Sequence, residues 1–237
     1  MKSSIARSRF AWLAIALSAC EGRSERHEPP ALERTREPTA DLRLPPTMQE
    51  MLQDRPTMKV ALNERPALAR WLADRFAGVT GPGTVQWSGE LPRSGQPGEH
   101  YAPRRPGDPY KLRVTDKYTG VDQLSVAVYE LINMEGTPDF EDLKRRAAER
   151  TIEREAFAEA MTRREHAAVV TFRRVSRELA LAPGPDDVVL ARRLEAPDDF
   201  AAFEKQIAKY LREQGGGHDP RAYWRRFYDT LGATTPP

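Results

Sequence analysis

One cysteine, Cys20, occurs in 237 residues, and that scarcity excludes an internal disulfide framework. The four histidines are His27, His100, His166 and His218, and no two stand at metal-ligand spacing. The sequence has no G-x-S-x-G nucleophile elbow, no glycine-rich phosphate loop, no Cys/His arrangement and no dinucleotide fingerprint. Its Gly/Pro-rich stretch, 78–98, does not follow a strand and open a helix as a phosphate cradle must. Long apolar runs are also missing: the best, from Phe10 to Leu17, falls well short of the roughly 20 residues that span a bilayer. Nor does one charge dominate, since 37 basic residues face 35 acidic ones. A balanced chain offers no concentrated basic face, so no nucleic-acid partner is expected.

What is present begins at the amino terminus. Lys2, Arg7 and Arg9 precede the short apolar run, which together read as an export signal. Leu17-Ser18-Ala19-Cys20 then resembles the lipobox of bacterial lipoproteins. The resemblance implies a signal peptide over 1–19, cleavage before Cys20, a diacylglyceryl group on its thiol and an acylated new amino group. A buried free cysteine in an ordinary apolar segment is the other reading; the basic flank before it and the polar chain after it favour the lipobox. Three of the 37 basic residues lie in 1–19, leaving 34 against 35 acidic ones. With Cys20 lipidated, no thiol remains for catalysis or zinc. The resemblance further implies a membrane partner, held through palmitate-type chains on Cys20, and a periplasm-facing cell-envelope protein. Glu21 is not the aspartate associated with inner-membrane retention, which favours the outer membrane.

Residues 20–46 are charged and broken by prolines, as in Glu28-Pro29-Pro30 and Leu44-Pro45-Pro46, with no apolar periodicity. This segment reads as a flexible tether with a reach of roughly 28 Å. Residues 47–233 read as one globular domain of the α+β class, mainly helical with a small β-sheet. Met48–Leu52 gives a short amphipathic helix. A better one opens at Asn63-Glu64-Arg65-Pro66 and carries Leu68, Trp71, Leu72, Arg75 and Phe76. Val85 with Trp87, and Tyr110–Thr115, supply two strand candidates. Helices follow over Val121–Met134, from Thr137-Pro138 to about Arg150, and from Thr151 to about Leu179. Two more begin at Pro197-Asp198-Asp199 and His218-Asp219-Pro220; their Phe200, Phe203, Ile207, Tyr210, Leu211, Tyr223, Trp224, Phe227 and Tyr228 read as core or docking residues.

Two carboxylates fall where apolar residues belong. The apolar residues of Val121–Met134 nearly encircle the helix, which places Glu130 in the interior. On the long helix, Phe157, Met161, Ala168, Phe172, Val175 and Leu179 trace a stripe with Glu165 inside it. An ionised carboxylate there costs several kcal/mol unless it is met. The abundant arginines of the same helix, Arg163, Arg164, Arg173 and Arg174, make a structural ion pair the expected answer. His166 follows Glu165 directly, and adjacent helical positions point about 100° apart, so the two cannot serve one face.

The segment Tyr129-Glu130-Leu131-Ile132-Asn133 resembles the H-E-x-x-H helix of zincin metallopeptidases, with Tyr129 and Asn133 where that family has histidines. Glu130 matches the general base, and Glu165 lies in the region where gluzincins supply a third ligand. Tyr129 and Asn133 are poor zinc ligands, so the resemblance implies a zincin-like fold that has lost its metal chemistry. The set Glu130, Leu131, Asn133, Phe157, Met161 and Glu165 also resembles bacterial domains pairing E-L-x-N with F-x-x-x-M-x-x-x-E, which carry no activity to transfer. No metal or cofactor is expected. The expected role is a non-catalytic binding or scaffolding module for a protein or envelope polymer. The alternative is an envelope peptide or glycan hydrolase using Glu130 and Glu165, with His166, Tyr129 or Asn133 assisting.

Overall fold

A computed structural model describes residues 46–76, 85–89, 97–101, 108–181, 193–213 and 219–231, together with Leu44, Leu91 and Pro92. The export signal, Cys20 and nearly all of the tether lie outside the described residues. The architecture is α+β, mainly helical with one small sheet.

Three short helices open the domain: α1 Pro46–Asp54, α2 Pro56–Asn63 and α3 Pro66–Phe76. Each begins on a proline, whose fixed φ and missing N–H suit the first helical turn. Their apolar faces bury Met48, Met51 and Leu52, then Met58, Ala61 and Leu62, then Leu68, Ala69, Leu72 and Phe76. Helix α2 was not evident from sequence, because its eight residues give little more than two turns of pattern.

The sheet has three strands in the order β1-β3-β2, formed by β1 Val85–Trp87, β2 Gly98–Tyr101 and β3 Tyr110–Val114. β1 runs parallel and β2 antiparallel to β3, with Gly98 opposite Val114 and His100 opposite Leu112. Residues two apart in a strand share a face. Gly98, His100, Leu112 and Val114 therefore point to one side, and Glu99, Tyr101 and Arg113 to the other. On that second side the Arg113 guanidinium lies over the Tyr101 ring, 4.8 Å from its centre.

Helix α4, Gly120–Glu135, packs against α2, α6, β2 and β3 and is buried from Gln123 through Met134. Gly98 is the reason β2 can approach it. A Cβ built there would stand 2.6 Å from Val126 Cγ1 and 2.7 Å from Glu130 Cγ.

Helix α5, Thr137–Ala148, is followed by α6, Arg154–Glu178. The long helix starts three residues later than Thr151, its expected beginning. Arg150 takes a left-handed conformation at φ 56°, which ends α5, and Glu153 stands extended in the N-cap position. The last helices are α7, Phe200–Glu213, and α8, Pro220–Leu231. Asp199 and Asp219 cap them, their carboxylates accepting from the backbone N–H of Ala202 and Ala222.

Among the described residues two apolar clusters result. The larger joins α1 to α4, the sheet and the C-terminal half of α6. The smaller joins α5, the N-terminal half of α6 and α8 around Phe157 and Trp224. Among the described residues no helix is long and apolar enough to cross a membrane.

Gly98→Ala is expected to lower stability by about 1–3 kcal/mol, the usual cost of forcing atoms into a filled interior. Gly89→Ala, whose Cβ would meet only Asp54 Oδ2 at 3.8 Å, is expected to stay within about 0.5 kcal/mol. Urea unfolding of the two variants checks the contrast; equal midpoints would mean that β2 does not press on α4.

Candidate functional site

The faces of α4 and α6 bring four of the residues singled out in the sequence into one neighbourhood and leave the fifth outside it. Tyr129 and Asn133 lie one turn apart on α4, so they share a face. Both are buried, as is Glu130 beside them. Glu165 lies midway along α6, between Met161 of the smaller cluster and Ala168 of the larger.

Glu130 is 2% exposed, and its Oε2 lies 3.0 Å from His100 Nδ1. The partner comes from β2, a strand the sequence pattern did not reveal. His100 lies on β2, brought against α4 by the bare backbone of Gly98 two residues earlier.

Glu165 is met differently from expectation. The arginines of its own helix turn elsewhere: Arg163 pairs with Glu159, Arg164 with Asp139, and Arg173 with Asp198. The Trp224 indole on α8 instead donates to Glu165 Oε1 at 2.9 Å. Glu165 retains partial solvent contact as a residue. Even so, burial of its carboxyl pushes the pKa up to about 8, with the Trp224 hydrogen bond and the Arg193 charge opposing the rise. The partial exposure thus belongs to the rest of the residue, and the carboxyl itself is desolvated. Tyr223, beside Trp224 with ring centres 4.8 Å apart, is raised by burial and then by the Glu165 charge.

Arg193 was not singled out from sequence. Its guanidinium carbon stands 3.4 Å from the centre of the Tyr129 ring, a cation–π contact. The Tyr129 phenol is pushed up by burial; Arg193 opposes that shift, and Glu130 and Glu165 add to it. Asn133 sits beside this phenol and influences it without closing a hydrogen bond of sound geometry.

Arg193 is held in place by a strap. Residues 193–195 form a single helical turn, and the chain after it runs along α6. Arg177 donates to Leu194 O, Arg173 to Ala196 O and Asp198, and His166 Nε2 to Pro197 O at 2.7 Å. These donors recur at spacings of seven and four, one stripe of the helix. His166 is thereby a strap residue, packed on Phe203 with ring centres 4.6 Å apart, and it stands apart from the Tyr129 group.

Zinc does not suit this donor set. Tyr129, Asn133 and Glu165 do approach one another, but a guanidinium already places a positive charge among them. No cluster of three or more His, Cys, Asp or Glu side chains able to hold a metal occurs among the described residues. Comparison of the chain with models of known families, with curated proteins and with solved structures finds no match.

Because Glu165 holds its proton to about pH 8 in the folded state, against an ordinary value of 4.5, its raised pKa takes nothing from stability below about pH 4.5. As the pH rises towards 8, the unfolded chain releases this proton and the folded one does not, so stability falls by up to about 1.4 kcal/mol per pH unit. Glu165→Gln, which keeps an acceptor for Trp224, is expected to flatten this slope and to melt higher than the parent at pH 8. Thermal unfolding at pH 5, 6.5 and 8 checks it; an unchanged slope would remove Glu165 as the titrating group.

Proposed function

We propose that the chain is a lipid-anchored lipoprotein of the bacterial envelope whose folded domain is a non-catalytic binding or scaffolding module. The observation that carries the non-catalytic half is the enclosure of Glu130, 2% exposed and held by His100 at 3.0 Å. A general base must reach the proton it abstracts, directly or through one water, and an enclosed carboxylate with an imidazole against it has no such reach. The anchoring half rests on Leu17-Ser18-Ala19-Cys20 and its basic flank. The lipids on Cys20 attach the protein to the membrane, facing the periplasm, with the outer membrane favoured by Glu21.

The hydrolase alternative would require both Glu130 and Glu165 to face a substrate, and of the two only Glu165 keeps solvent contact. The zincin-like resemblance of Tyr129-Glu130-Leu131-Ile132-Asn133 is compatible with the module reading, because Tyr129 carries a guanidinium over its ring.

In a bacterial host, labelled palmitate is expected to enter the parent protein and to be absent from Cys20→Ala, which should also leave the membrane fraction. Label on Cys20→Ala would overturn the anchor. Incubated with isolated envelope peptides and glycans, the purified lipoprotein is expected to release no products. Product release that Glu130→Gln abolishes would overturn the non-catalytic reading.

A further inference from the structure

Around Tyr129 the interior holds hydrogen-bonding capacity that the protein does not use. Asn133 is 1% exposed, and neither its Oδ1 nor its Nδ2 has a partner among the described residues. Buried Nη1 of Arg193 likewise has none there. Each unmet buried group of this kind costs about 1–3 kcal/mol, and native interiors seldom keep one without a reason. Here they converge on a single ring, since Asn133 lies beside the Tyr129 phenol and Arg193 lies over its face.

The unmet set is rich in donors. Asn133 Nδ2 and Arg193 Nη1 offer N–H groups, one of them cationic, against a single acceptor, Asn133 Oδ1. A guanidinium beside an amide matches the planar, two-oxygen shape of a carboxylate, and charge-assisted bonds of this kind are strong. Aromatic groups border the place: Tyr129 below, Trp224 and Tyr223 beside Glu165. Glu165 and Arg193 both keep partial exposure as residues. Held neutral at physiological pH, Glu165 repels no anion and can donate an O–H.

We propose that Asn133, Arg193 and Glu165 form a binding site for a carboxylate, carried by a small organic acid or by a peptide C-terminus. This deepens the binding-module reading and rests on it. The carboxylate bridges Arg193 Nη1 and Asn133 Nδ2, and Glu165 adds a third donor. The site differs from a metallopeptidase centre in kind, because its fixed charge is positive and its cargo is an anion.

The test is isothermal titration of the full-length lipoprotein in detergent with acetate, with N-acetyl-Ala-Ala and with the C-terminal amide of that peptide. Saturable binding of the free acids and none of the amide is the expected result. Acetate binding as tightly as the peptide identifies a small acid as the cargo; peptide binding at least about tenfold tighter identifies a chain terminus. Asn133→Leu and Arg193→Met are expected to weaken binding by about tenfold or more, the worth of a lost bond to a charged group. Asn133→Leu should do so without loss of stability, since an apolar side chain of similar size removes unmet polar atoms. Equal response to acid and amide, no saturation with any probe, or unaltered binding in Asn133→Leu would overturn the proposal. Failure here leaves palmitate labelling and the absence of product release untouched, and Glu130-dependent product release would sink the module reading while leaving carboxylate binding measurable.

Discussion

The hydrogen bond between the Trp224 indole and the Glu165 carboxyl sits where the long helix passes from one apolar cluster to the other. Helix α6, about 37 Å long at 1.5 Å per residue, runs through both, with Phe157 and Met161 in one and Phe172 and Val175 in the other. A carboxyl at the midpoint cannot pack as a methyl group does, because its oxygens must be met or its proton retained. Both happen here. The indole that meets it also stacks on Phe140 and stands edge-on to Phe157, so the polar contact fixes the register of α8 against α5 and α6. Uniqueness of packing is bought at the seam with a group that weakens the fold as the pH rises.

The long helices were legible in the sequence because they repeat their apolar pattern over many turns. Helix α4 declared itself by being apolar on nearly every side, and the burial of Glu130 followed from that alone. Short elements were not legible. Helix α2 has too few turns, and β2, Gly98–Tyr101, has four residues of which none is a β-branched or aliphatic marker. Its strand state comes from the ladder to β3, a contact distant in sequence. The partner of Glu130 was lost with it. Arg193 was hidden for a related reason: a single helical turn has no periodicity, and its position depends on bonds to a helix some 20 residues earlier. The expected ion pair at Glu165 is replaced by the Trp224 indole, with Arg193 acting only through its charge, since Arg163, Arg164 and Arg173 of α6 pair with other acids.

Burial divides the two carboxylates into different kinds of group. Glu130 is closed in by β2 and belongs to the joint between sheet and helix, whereas Glu165 remains in contact with water and senses Arg193, Tyr129 and Tyr223. A reading that treats them as a catalytic pair must treat them alike, and their surroundings do not. The polar interior instead divides into a structural half at Glu130 and a half with unused capacity at Asn133 and Arg193.

The strap along α6 has a further consequence. Its acceptors at Leu194, Ala196 and Pro197 are main-chain carbonyls, which every residue type possesses. Mutation can therefore erase the side chains of the accepting strip while the attachment survives, provided that positions 166, 173 and 177 go on donating. In descendants of this chain, the spacing of those donors would be the lasting signature of the arrangement, and the segment they grip would look unrelated.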